Sequence, residues 1–267
     1  MLQMSFRMPV LAVVLLLFSN TAQAETIRVA VASNALEAVK YLARQFDDKT
    51  GNQVQLSSGS TGKLYAQIVN GAPFDLFLAA NSREPKRLEQ AGLGVKGSRR
   101  TYALGRLALL SSETPLDNKA GVKTQLKRFS ELGPSHFAIA NPETAPYGLA
   151  ARQALQHFGL WTSLQSKMIK GENINQAFQY VTSGNAQYGL VALSQIKKFA
   201  IPAARYAVLP PDSYARIEQQ AVLLTRAANK PAVRALLEYL TGTTAGTVLS
   251  EKFGYGTPTL AMQPKVD

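Results

Sequence analysis

Leu56-Ser57-Ser58-Gly59-Ser60-Thr61-Gly62-Lys63-Leu64 is the stretch that decides how this chain reads: a short apolar strand runs into hydroxyls and glycines, then opens a helix. The first backbone N–H groups of a helix have no partner within it, and the helix dipole adds partial positive charge at the same place. Ser and Thr hydroxyls can supply further donors, and Gly59 and Gly62 let the backbone turn tightly against a ligand. The stretch therefore has the makings of an anion seat. It is not a nucleotide-binding P-loop, which would need glycine at Ser57 and Ser or Thr at Leu64. Helix capping is the other use of the same residues.

Working outward, Thr26 to Ala32 is a continuous apolar run, the pattern of a strand buried on both faces. Ser33-Asn34 ends it, with Asn34 placed to cap a helix and Glu37 at the third helical position. Leu36, Val39, Ala43 and Phe46 fall on one face of that helix. Ser33 thus occupies a second strand-to-helix turn. Downstream, Asn70-Gly71 stops the helix that starts near Lys63, Asp75 to Ala79 forms a strand, and Pro85 to Ala91 forms a helix ended by Gly92. Alternation of this kind predicts parallel sheets with helices on both faces and ligands beyond the carboxyl ends of strands.

Tyr102 to Ser112 reads as a long strand broken at Gly105, followed by a polar loop over Glu113 to Gly121. A second series follows: strand Phe137 to Ala140, turn Asn141 to Gly148, helix Leu149 to Phe158, strand Lys167 to Lys170, helix Ile174 to Ser183 and strand Tyr188 to Leu193. After Pro210-Pro211 come the strand Ile217 to Leu224 and two helices, Pro231 to Leu240 and Thr243 to Phe253.

The N-terminus has the layout of an export signal: Arg7, an apolar run from Val10 to Phe18, and Ala22-Gln23-Ala24 as the cleavage site. The expected mature chain begins at Glu25 and is soluble outside the cytoplasm, no later run reaching the ~20 apolar residues of a membrane span. The 267 residues include no cysteine, which excludes disulfides, thiolate metal sites and thiol nucleophiles. His136 and His157 are the two histidines, with no metal-ligand spacing between them. The net charge of +12 favours anion capture, yet the basic residues are dispersed, without the basic-aromatic stripe of a nucleic-acid binder.

Taken together, Val31 to Ser33, Ser58 to Gly62, Gly71-Ala72-Pro73-Phe74-Asp75-Leu76-Phe77, Asn141-Pro142-Glu143, Pro146-Tyr147-Gly148, Gly159-Leu160-Trp161, Asn173-Ile174 and Phe253-Gly254-Tyr255 resemble, in order and spacing, the periplasmic molybdate-binding proteins of ABC importers. The resemblance covers about Thr26 to Tyr255. It implies an α/β, two-lobed periplasmic binding protein with parallel-type sheets and two crossover hinge strands, Tyr102 to Ser112 and Ile217 to Leu224. The first lobe would comprise 25–104 and 222–267, the second 105–221. The ligand would be molybdate, and also tungstate, with no cofactor and no catalysis. A membrane permease would be the partner, and the protein a monomer in the periplasm.

Carried over by position, Ser33 and Thr61 match the family's hydroxyl contacts, Tyr147 and Ile174 match backbone N–H contacts, and Ser60 is a neighbouring candidate. Ser33, Thr61, Tyr147 and Ile174 are also the metal-ion contacts, in the sense of molybdate. The family's tyrosine ligand falls here on Ala192, and Tyr147 stands where a small residue is usual. The expectation is that the Tyr147 phenol fills that space and supplies the missing donor, the alternative being a phenol at the solvent rim. Lys63 is read as a solvated first-turn side chain. A receptor for sulfate or a phosphorus oxyanion is the competing binding reading. A serine hydrolase is the competing enzyme, weakened by the lack of a G-x-S-x-G elbow.

Overall fold

In the computed structural model, which describes residues 24–117, 119–131 and 135–264, the strand β1 (Thr26–Ala32) lies between β2 (Gln53–Gly59) and β3 (Leu76–Ala79), parallel to both. The export signal expected over residues 1–24 lies, but for Ala24, outside the described residues. The first sheet runs in the order β2-β1-β3-β10-β4, where β4 is Arg100–Gly105 and β10 is Ile217–Leu223. The second runs β7-β6-β8-β5-β9, with β5 Leu107–Ser111, β6 Phe137–Ala140, β7 Met168–Gly171, β8 Tyr188–Ala192 and β9 Tyr206–Val208.

Both sheets are mixed rather than wholly parallel. β10 runs antiparallel to β3 and β4, and β5 antiparallel to β8 and β9. The reason is chain passage: β4 and β5 are consecutive strands placed in different sheets, so the chain crosses between lobes at Gly105-Arg106 and β10 returns against the direction of β3. All of β10 pairs within the first sheet, from Ile217 opposite Gly105 to Leu223 opposite Leu76, so the boundary expected after Ala221 falls inside this strand.

The helices cover the sheets as the apolar spacing predicts. In α1 (Leu36–Thr50), Val39, Ala43 and Phe46 are buried, and Gly51 ends the helix at φ 72°. The remaining helices are α2 (Thr61–Val69), α3 (Arg83–Gln90), α4 (Val122–Glu131), α5 (Pro146–His157), α6 (Trp161–Leu164), α7 (Ile174–Thr182), α8 (Leu193–Lys198), α9 (Pro231–Thr241) and α10 (Thr243–Phe253). Leu76, Leu78 and Leu223 pack under α1 and α9 on one face of the first sheet, while Phe77 and Val222 meet Leu64 and Leu88 on the other. A separate core of Leu109, Phe137, Ile139, Ala151 and Val181 fills the second lobe. No helix among the described residues is long and apolar enough to cross a membrane.

Buried Asp75 ties α9 to the first sheet. Its carboxylate accepts from the Arg28 amide at 2.8 Å and from Lys230 Nζ at 3.0 Å, just ahead of Pro231. Removing the last water from a carboxylate is costly unless such partners replace it.

Candidate functional site

Ser33, Ser60, Thr61, Tyr147 and Ile174 line one small cavity between the lobes, together with Ala32, Asn34, Gly59, Ala80, Ala145 and Pro146. It is narrow, with no room for anything the size of a nucleotide.

Four helix starts supply this lining. A single 3-10 turn at Ser33–Ala35 leads into α1, and α2 begins at Thr61. From the second lobe, α5 begins at Pro146 and α7 at Ile174. Each start brings N–H groups without intrahelical partners and the positive end of a dipole. In α7 the Asn173 side chain accepts from the amides of Asn175 and Gln176, which leaves the Ile174 amide outside the cap. In α5, Pro146 occupies the first helical position, so the Tyr147 amide belongs to the unpaired first turn. α5 starts three residues earlier than the sequence suggests, which moves Tyr147 from the loop onto the helix.

The hydroxyls are not helix caps. Neither α2 nor the turn at Ser33 has a side-chain cap. Thr61 Oγ1 accepts from the Ala80 amide at 3.0 Å, leaving its proton free to donate. Ser60 Oγ is buried with no hydrogen-bond partner among the described residues. A buried hydroxyl without a partner is unfavourable, so its presence in the cavity asks for a ligand.

Tyr147 is buried, not at the solvent rim. Its phenol points to the crossover: Oη accepts from Gln219 Nε2 at 3.4 Å and takes a backbone hydrogen bond from Arg106. A Cβ placed on Gly105 would sit 2.5 Å from Oη, so glycine there is what admits the ring. Burial pushes the phenol well above its ordinary range, with neighbouring tyrosines adding to the shift. Ala192 ends β8 opposite Leu107 and brings no polar side-chain atom.

Asn34, expected as a helix cap, is a cavity residue instead. Its Nδ2 donates to Gln219 Oε1 at 2.8 Å and to Tyr255 Oη at 3.1 Å, and Tyr255 Oη donates to the Asn34 carbonyl at 2.9 Å. Those partners are 185 and 221 residues away, beyond any local signal. Lys63 does not reach the cavity. It pairs with Glu172 at 2.7 Å across the cleft, both side chains being half exposed.

Among the described residues, the cavity lining includes no histidine, carboxylate, lysine or arginine. A larger groove at the lobe seam shares Ser33 and Asn34 and mixes apolar Leu36, Phe178, Phe199 and Phe253 with polar Asn175, Gln179 and Gln195, its Lys198 being paired with Glu37 at 3.6 Å.

A mixed-sheet pair of lobes with helix starts converging on a small cavity between them defines a class, the extracytoplasmic solute-binding proteins. The family model for bacterial extracellular solute-binding protein matches residues 27–256, and the chain belongs to that family. Among its relatives, the molybdate-binding protein ModA of Azotobacter vinelandii is 43% identical over 241 residues, covering 90% of this chain and 93% of the relative. The molybdate-binding protein ModA of Rhodobacter capsulatus is 38% identical over 249 residues, covering 92% and 94%. The solved structure of the Azotobacter vinelandii periplasmic molybdate-binding protein superposes with a TM-score of 0.79 at 37% identity, covering 87% of this chain and all of that one. The family is one of solute-binding proteins rather than enzymes.

Proposed function

We propose that this protein captures molybdate, and tungstate equally, in the cavity between its lobes and delivers it to the membrane permease of an ABC importer. Ser33, Ser60 and Thr61 serve as hydroxyl donors, and the amides of Tyr147 and Ile174 as donors from the second lobe. The observation that carries this reading is the convergence of four helix starts on a cavity that also holds an unpaired buried hydroxyl.

A tetrahedral dianion gives up much hydration on entering such a space, so each oxygen needs donors. About six hydrogen bonds to a charged group, at roughly 1.5–3 kcal/mol each, support the ~11–12 kcal/mol of nanomolar binding after ordering costs. Discrimination follows from size and from unmatched donors: sulfate is smaller and a protonated phosphate presents a donor where an acceptor is needed. Tungstate, nearly the size of molybdate, fits the same donors.

Residues 25–105 with 217–264 make the first lobe in this reading, and 106–216 the second, hinged where the chain crosses. The export signal is cleaved after Ala24, and the mature protein works in the periplasm as a monomer. Titration calorimetry with molybdate, tungstate, sulfate and phosphate side by side tests the proposal. Tight, near-equal binding of the first two and none of the others is expected. Tight binding of sulfate or phosphate in preference to molybdate would assign the protein to the competing oxyanion class.

A further inference from the structure

We propose that Gln219, on the strand that returns to the first lobe, is a positioning residue that couples occupancy of the anion cavity to closure of the lobes. The inference rests on the reading of that cavity as an oxyanion site and extends it to the hinge behind.

Gln219 is wholly buried. Its Oε1 accepts from two donors of the first lobe, Asn34 Nδ2 at 2.8 Å and Tyr102 Oη at 3.0 Å. Its Nε2 donates to Tyr147 Oη, in the second lobe, at 3.4 Å. Asn34 and Tyr147 both line the cavity. One amide therefore joins a cavity residue of each lobe, at the point where the chain passes between them.

Chemistry restricts what could stand there. The position needs an acceptor for two donors and a donor for a phenol, and an amide meets both needs. A carboxylate would lack the donor and set a second negative charge behind an anion site. A leucine would leave Asn34 Nδ2 without one partner, strip the Tyr102 phenol of its own and leave the Tyr147 phenol only the Arg106 backbone.

The geometry also gives the direction of coupling. Tyr147 rides on α5 and Gln219 on β10, so opening the lobes separates the pair. The link is the longest in the network, and Ser194 Oγ of the second lobe grips the Asn34 carbonyl at 3.1 Å on the other side. An anion held by both the Ser33-Asn34 turn and the first turn of α5 draws Tyr147 toward Gln219. What binding does for the clasp, the clasp must do for binding, since coupling free energies are reciprocal.

The test uses full-length mature chains carrying Gln219→Met, close in volume, Tyr147→Phe, and both. Molybdate affinity, capture and release rates, and the thermal midpoint without ligand are measured for each. The expected result for Gln219→Met is a roughly tenfold weaker affinity, the scale of one hydrogen bond, expressed as faster release with capture within about twofold. Tyr147→Phe should shift release the same way, and the double variant should be no worse than Gln219→Met alone. A lowered midpoint with release unchanged would reduce Gln219 to a packing residue and overturn the coupling, as would losses that add in the double variant. Should Gln219→Met not fold, an unchanged release rate in Tyr147→Phe overturns it alone. Wild-type protein that binds no molybdate would instead remove the reading beneath.

Discussion

Ser60 and Thr61 are neighbours with opposite energetics, and the difference is measurable. The Ser60 hydroxyl has no partner in the ligand-free chain, whereas Thr61 Oγ1 already satisfies the Ala80 amide. Ser60→Ala should therefore weaken molybdate binding by about 10- to 100-fold while leaving the ligand-free chain as stable or slightly more so. Thr61→Val should weaken binding and also cost about 1–3 kcal/mol of stability, because it orphans a buried N–H. Calorimetry paired with thermal melts separates the two. The pH response follows from the lining: Tyr147 is its one titratable side chain, and burial raises its pKa. Affinity measured from about pH 6 to 9 should stay flat on the protein's side. Tyr255, pushed from 10 to about 12 by burial, stabilises the fold fully below pH 10 and loses that contribution as pH rises through 12. Ultraviolet titration should show its ionisation delayed to that range or to unfolding. Ser33, Ser60 and Thr61 are legible as candidates because their strand-to-helix turns announce themselves locally, whereas Tyr147 and Ile174 come from the resemblance to the molybdate-binding family. Asn34 as a hinge anchor and Gln219 as the partner of the inward Tyr147 phenol are not legible, since both depend on contacts remote in sequence.

At the level of elements, the helix starts matter more than the helices. Gly62 shows why α2 begins with so small a residue: its N–H donates to the Thr144 carbonyl of the second lobe at 2.9 Å, and a Cβ there would lie 3.0 Å from the same oxygen. Gly62→Ala should hold the lobes apart, lowering molybdate affinity by roughly tenfold with little change in the ligand-free melting point. A small-angle scattering profile of the loaded variant should be less compact than that of loaded wild type. The Lys63–Glu172 pair crosses the cleft nearby, but at half exposure it contributes at most about 1 kcal/mol. Elements with long apolar runs, such as β1, β3 and β6, could be read directly from sequence. α8 could not, because it follows β8 without a break, and β9 has three residues in which to show a pattern. α4 is not legible in the sequence, because Leu126 and Phe129 are its buried residues and polar neighbours surround them.

For the whole molecule, two sheets with separate cores meet at a seam whose polar groups come from both sides. The alternation of strands and helices pointed to parallel sheets, and local pattern has no means of revealing that β5 and β10 run against their neighbours. Strand direction is fixed by where the chain crosses, at Gly105-Arg106, and by the return of β10 between β3 and β4. That route places one cavity wall on each lobe, so in the proposed reading a ligand in the cavity favours the closed arrangement of the lobes. Neutral donors suffice for a dianion because the helix starts arrive already oriented, and the low-dielectric seam strengthens each contact. The most direct test is X-ray diffraction from crystals of the protein grown with molybdate, recorded at the molybdenum absorption edge. The account predicts one anomalous peak in the closed cavity, within hydrogen-bond reach of the Ser33, Ser60 and Thr61 hydroxyls and the Tyr147 and Ile174 amides. A peak on the protein surface or in the seam groove beside Phe199, with that cavity empty, would contradict it.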